Sequence, residues 1–177
     1  MTNTLLSVKF RTVNPNPELK FEPINLDLHS DICVRFRADS YVCSFGSDAR
    51  FYEEAGKSGE LYLTRIAERM IQLPGSCVHV WQGQAIVGQI ELNRYKTDPS
   101  LGYVNLYYLA PQYRDQGWGR FLDGYAVSYL TSLGFSAARL SVSPTNLQAM
   151  RFYAKQGWTD LGPRPDAPEV HLMGRDL

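Results

Sequence analysis

Leu109-Ala110-Pro111-Gln112-Tyr113-Arg114-Asp115-Gln116-Gly117-Trp118-Gly119 is the stretch on which the reading of this chain turns. A strand-like run from Gly102 to Leu109 leads into it. An amphipathic helix follows at once, with Phe121, Leu122, Tyr125, Ala126, Tyr129, Leu130 and Leu133 on its apolar face. Gly117 and Gly119 admit positive φ and leave no side chain between backbone and ligand. The first turn of a helix carries unpaired N–H groups with about half a positive charge behind them. Strand, glycines and helix start together read either as an anion site or as no more than a tight strand-to-helix turn, since a bare G-x-G is a weak signal. The amides of Gln116, Gly117, Trp118, Gly119 and Arg120 are expected to form a nest for a pyrophosphate, with Arg114 and Arg120 adding ionic contacts.

Other phosphate-binding patterns are excluded by what is missing. A dinucleotide fingerprint needs a third glycine three positions after Gly119, where Leu122 stands. The G-K-[ST] of a P-loop is absent, as are kinase, hydrolase-elbow and zinc-deaminase signatures.

Outward from this junction the periodicity alternates between two and 3.6. Leu5 to Thr12 and Leu19 to Ile24 read as a strand pair broken by Asn14-Pro15-Asn16-Pro17. Asp27 to Ala38 has helical spacing, and a second helix capped by Ser58 or Gly59 runs to Pro74-Gly75. Tyr41 to Lys57, polar and aromatic, is given no regular element. Cys77 to Trp81 and Ala85 to Asn93 form a hairpin about Gln82-Gly83-Gln84. Downstream, Ala138 to Ser143 reads as a strand. Asn146 then caps a helix reaching Gln156, with Gly157 as its stop. Trp158 to Leu161 and Glu169 to Met173 read as strands around the proline-rich Gly162 to Pro168. The order β-β-α-α-β-β-β-α-β-α-β-β predicts one α/β (α+β) domain over residues 1–177, with an N-terminal extension over 1–17 and a core of about 18–174.

The glycine stretch resembles the acyl-CoA-binding motif of the GNAT N-acetyltransferase superfamily, roughly V-x-P-x-[YF]-[RQ]-x-x-G-[IVLFW]-[GA]. The run Asn146-x-x-Ala149-x-x-x-Tyr153-x-x-x-Gly157-Trp158 is similar to the family's second signature, N-x-x-A-x-x-x-Y-x-x-x-G-F, and lies downstream in the family's order. Leu109 replaces the usual valine and Trp118 an isoleucine; neither removes a needed amide. The resemblance implies a mixed, mostly antiparallel sheet with flanking helices and a splayed central strand pair. It implies acetyl-CoA as donor and a primary amine, on a small molecule or a peptide, as acceptor. Tyr107 to Leu109 would pair with the pantetheine arm beside a bulge, and Arg114, Asp115, Gln116, Gly117, Trp118, Gly119 and Arg120 would cradle the pyrophosphate. Asn146 would bond the pantetheine or only cap its helix.

Tyr153 falls on the family's tyrosine and is the expected general acid for the departing thiolate. Glu91, on the strand parity of Val87 and Gln89, is the expected base, with a solvated carboxylate paired to Arg94 as the bland reading. Tyr103 and Asn105 share a face of the next strand and are candidates to orient the acceptor. His79 reads as structural. A non-catalytic acyl-CoA-binding module is the rival function.

Composition sets the frame. In 177 residues, 18 Lys and Arg balance 18 Asp and Glu, so nothing favours nucleic acid or anionic membranes as partners. Three cysteines without C-x-x-C spacing and three scattered histidines form no metal-ligand pattern. Reduced thiols, the absence of a leader pattern and the absence of a long apolar run lead to the expectation of a cytoplasmic protein. Pairing of edge strands into a homodimer is compatible with the sheet. Asp48, Glu53 and Glu54 among the aromatics of Tyr41 to Lys57 hint at a cationic acceptor.

Overall fold

The computed structural model describes residues 17–177, so the expected strand at Leu5 to Thr12 lies outside the described residues. Among the described residues, seven strands form one sheet in the order β1-β2-β3-β4-β5-β7-β6. These are β1 Leu19–Pro23, β2 Cys77–Gln82, β3 Ala85–Arg94, β4 Gly102–Leu109, β5 Ala137–Val142, β6 Thr159–Arg164 and β7 Ala167–Asp176. All pairings are antiparallel except β4 with β5. The helices are α1 Leu26–Phe45, α2 Ala49–Ala55, α3 Glu60–Gln72, α4 Gly119–Ser132 and α5 Leu147–Lys155.

Strand alternation divides the core between the two faces of the sheet. Val78, Val80, Ile90 and Leu92 pack with Leu122, Ala126 and Leu130 of α4. Each such buried Leu or Ile contributes about 1.5–3 kcal/mol. Cys77, on the opposite parity of β2, meets Cys33 of α1 and Tyr62 and Ile66 of α3. Both faces of β2 and β3 are thus covered, so a polar residue on either parity is buried.

Two observed elements differ from the sequence reading. Tyr41 to Lys57 contains the end of α1 and the short α2, whose seven residues give too few turns for an apolar stripe to register. The prolines of Gly162 to Pro168 do not interrupt the last strand pair. Pro163 pairs with His171 at a register shift on β6, an edge strand, where a missing N–H costs no ladder bond.

Candidate active site: a groove between splayed strands

β4 and β5 pair only from Gly102–Ala138 to Val104–Leu140. Beyond Val104 they part, and a groove of about 1410 Å³ opens between them. On its other edge, β4 shifts register against β3: Glu91 faces Leu106 and Leu92 faces Val104, leaving Asn105 without a partner on β3. A bulge of this kind re-aims backbone at a site. The Asn105 carbonyl accepts from Arg37 Nη1 at 2.8 Å, while its buried Oδ1 has no hydrogen-bond partner. An acceptor left unmatched on the groove wall is a position a ligand donor can satisfy.

At the end of β4 the chain makes a 3₁₀ turn over Pro111–Tyr113 and enters the glycine loop. Asp115 has φ +60° and Gly117 φ +75°, which turns successive amides to one side. Asp115 is pinned there by Gln148 Nε2, which donates to its Oδ1 at 2.6 Å. The N-cap of α4 is Trp118, whose side chain makes no capping bond, while the Phe121 amide donates to the Trp118 carbonyl at 3.0 Å. Trp118 is instead buried and stacked on Tyr113, ring centroids 5.2 Å apart. At Gly119 a Cβ would stand 2.7 Å from the Phe152 ring of α5. Glycine here lets α4 start against α5 with backbone facing the groove.

Tyr107, Leu109, Arg114, Asp115, Gly117, Trp118, Gly119, Arg120, Asn146 and Tyr153 all line the groove. Gln116 does not; its side chain turns back to donate to the Gln112 carbonyl at 2.8 Å. Asn146 Oδ1 accepts from the Ala149 amide at 3.1 Å and so acts as the N-cap of α5. Arg114, expected to face phosphate, is committed to α1. Its Nη2 meets Asp39 at 2.6 Å and its Nε donates to the Leu109 carbonyl at 2.8 Å. Tyr108 donates to the same Asp39 oxygen. These 69- and 75-residue separations carry no local sequence signal.

The Tyr153 ring sits between Tyr107, at 6.2 Å, and Trp158, also at 6.2 Å and nearly perpendicular. Burial, then the Asp123 carboxylate, pushes its phenol up from the ordinary value, so it is protonated at neutral pH.

Glu91, the expected base, stands behind the groove wall. It is fully buried and does not line the groove. Its Oε2 meets Arg69 Nη1 at 2.5 Å, and its Oε1 accepts from Tyr62 and from Gln89 Nε2. Burial alone would raise its pKa, but Arg69, Arg37 and these two donors outweigh it and hold the carboxyl below its usual range. With α1 and α3 packed over it, both oxygens of this carboxylate are taken up by Arg69, Tyr62 and Gln89. It does not pair with Arg94. Strand parity identified its face correctly, but two helices cover that face.

At the far end the groove is lined by Tyr41, Glu54, Tyr103, Arg164 and Glu169. Arg50 bridges Glu54 at 2.7 Å and Glu169 at 2.8 Å, joining α2 to β7, and Tyr41 donates to Glu54 at 3.0 Å. Of the acidic residues Asp48, Glu53 and Glu54, only Glu54 reaches the groove. Among the described residues, no group of three or more His, Cys, Asp or Glu is arranged to hold a metal, and no helix is long and apolar enough to cross a membrane.

The sequence profile of the Acetyltransferase (GNAT) family matches residues 43–158, from the end of α1 through Trp158. This chain belongs to the GNAT acetyltransferase family. It is an N-acetyltransferase that draws its acetyl group from acetyl-CoA. No curated protein sequence matches it. Solved structures share the fold of this GNAT at low identity. The PaiA N-acetyltransferase of Thermoplasma acidophilum, in complex with coenzyme A, superposes with a TM-score of 0.72 at 17% identity, covering 90% of this chain and 99% of that one. A GNAT-family acetyltransferase from Staphylococcus aureus Mu50 gives 0.68 at 14% identity, with 90% and 99% covered. Ard1 of Thermoplasma volcanium gives 0.64 at 20% identity, with 90% and 97% covered.

Proposed function

We propose that the groove binds acetyl-CoA with its pyrophosphate on the Asp115–Arg120 loop and its pantetheine arm along Tyr107 to Leu109, and that a primary amine enters from the end lined by Tyr41, Glu54 and Tyr103. The observation that carries this reading is the parting of β4 and β5 beyond Val104, directly upstream of an uncapped helix start. The positive-φ residues Asp115 and Gly117, and the absence of a Cβ at Gly119, fit a group that needs backbone amides at close range. The coenzyme A in the related Thermoplasma PaiA complex supports the same donor here.

Acetyl transfer requires the amine to attack the thioester as a free base and the thiolate to leave. Tyr153, held protonated, donates to the sulfur as charge develops on it. A phenol is a weak acid toward a thiol, so its contribution is a hydrogen bond to the thiolate and proton delivery once the C–S bond has broken. Asn105, with its unmatched Oδ1, orients the pantetheine or the acceptor. The amine loses its proton to water at the open end of the groove, beside Glu54 and Tyr41. Glu91 is a positioning residue: it fixes Arg69 and Tyr62, and its field holds Arg37, which buttresses the bulge through the Asn105 carbonyl. Positioning of amine against thioester supplies the larger share of the rate, on the order of 7–11 kcal/mol.

The acceptor is a small or peptide-borne primary amine with a second cationic group, which Glu54 and Glu169 at the groove mouth are suited to receive in exchange for Arg50. A thiol-release assay with acetyl-CoA against monoamines, diamines and lysyl peptides tests this. Turnover that is highest with diamines or lysyl peptides is expected. Equal turnover with uncharged-tail amines would remove the second cationic group from the reading.

A further inference from the structure

Asp123 lies on the buried face of α4, among Leu122, Ala126 and Leu130, and is 3% exposed. A carboxylate there is costly unless its oxygens are matched. Both are: Trp158 Nε1 donates to Oδ1 at 3.0 Å, and Arg175 Nη1 meets Oδ2 at 2.6 Å. The partners come from the α5–β6 junction and from the end of β7, so the carboxylate ties three elements together. Hydrophobic residues of similar volume at these positions would fill the space with no buried charge, often without loss of stability. What the ion pair supplies in addition is direction. It fixes the indole plane, because the N–H must point at Oδ1.

That indole is one wall of the Tyr153 pocket. Its ring stands edge-on to Tyr153 at 70°, and its backbone N–H donates to the Tyr153 carbonyl at 3.0 Å. Tyr107 and Phe152, centroids 6.2 and 5.3 Å away, complete the box. We propose that Arg175, Asp123 and Trp158 form a brace that holds the Tyr153 ring at the groove, making Asp123 a positioning residue for acetyl transfer. The proposal rests on the assignment of Tyr153 as acid.

The test is a set of double-mutant cycles read by steady-state acetyl transfer. D123A, D123N and W158F are made in the native chain and in Y153F, with folding checked by circular dichroism. In the native background D123A lowers kcat about 10-fold and W158F about 3- to 5-fold, with KM for acetyl-CoA within about 2-fold. D123N, which keeps an acceptor for the indole N–H, recovers part of the D123A loss. In the Y153F background each changes kcat by less than about 2-fold. Equal losses in both backgrounds would overturn the brace while leaving the acid in place. Native kcat in Y153F would overturn the acid, and the brace with it. If D123A does not fold, W158F alone decides between these outcomes.

Discussion

Arg69 donates to the carboxylate of Glu91 at 2.5 Å behind the wall of the groove, not within it. The pair carries a stability prediction distinct from a catalytic one. E91Q leaves the half-buried Arg69 without its counter-ion, which costs about 3 kcal/mol. In a chain of this size that corresponds to a drop of about 6–12 °C in Tm. Turnover of the folded variant falls less than about 10-fold. A loss of 10²-fold or more at unchanged Tm, the range of a removed general base, would restore direct proton transfer to Glu91.

His79 makes stability depend on pH. It is buried on β2 between Gln89 and Cys33, and desolvation, aided by His29, pulls its pKa down to about 4. The unfolded chain takes up this proton near pH 6.5, whereas the folded chain resists until about 4. Stability from this group is therefore complete above pH 6.5 and is lost as pH falls toward 4. Urea unfolding at pH 4.5 gives a ΔG lower by about 2–3 kcal/mol than at pH 7 from His79, with protonation of carboxylates such as Glu91 acting in the same direction. H79Q flattens this part of the slope. An unchanged slope in H79Q would assign it to the carboxylates alone.

The cysteines divide sharply. Cys33 and Cys77 are fully buried, and burial pushes both thiols up to about 12. Cys43 is exposed and lines the groove beside Arg114. An aromatic disulfide reagent titrates one thiol in the native protein and three after denaturation, and saturating CoA slows the native reaction. Protection by CoA of a buried thiol, or none at Cys43, would contradict the path of the donor along this wall.

The sequence made local features legible wherever one residue type is strongly demanded by its backbone. Asn146 and Gly157 bound α5 where expected, with a capping bond to Ala149 and φ +86°. The glycine junction lies at the start of α4 as read. Features built from distant partners were not legible: Arg114 with Asp39, Arg50 with Glu169, Asp123 with Arg175. Each is 52 to 119 residues apart, and no periodicity connects such positions. Asp123 carried a signal that the sequence reading passed over: a charge among the apolar positions of a helix needs a partner. The burial of Glu91 was not legible either, because alternation reports which face a residue takes, not what covers it.

The most direct test of the CoA cradle is isothermal titration of CoA into the native protein and into G119V. Valine at this position drives its Cβ into the Phe152 ring, so the ring or the helix start beside the groove must shift. Affinity falls by at least about 10-fold, or 1.4 kcal/mol, while the far-ultraviolet spectrum is kept. Equal affinity in a folded G119V would contradict the cradle.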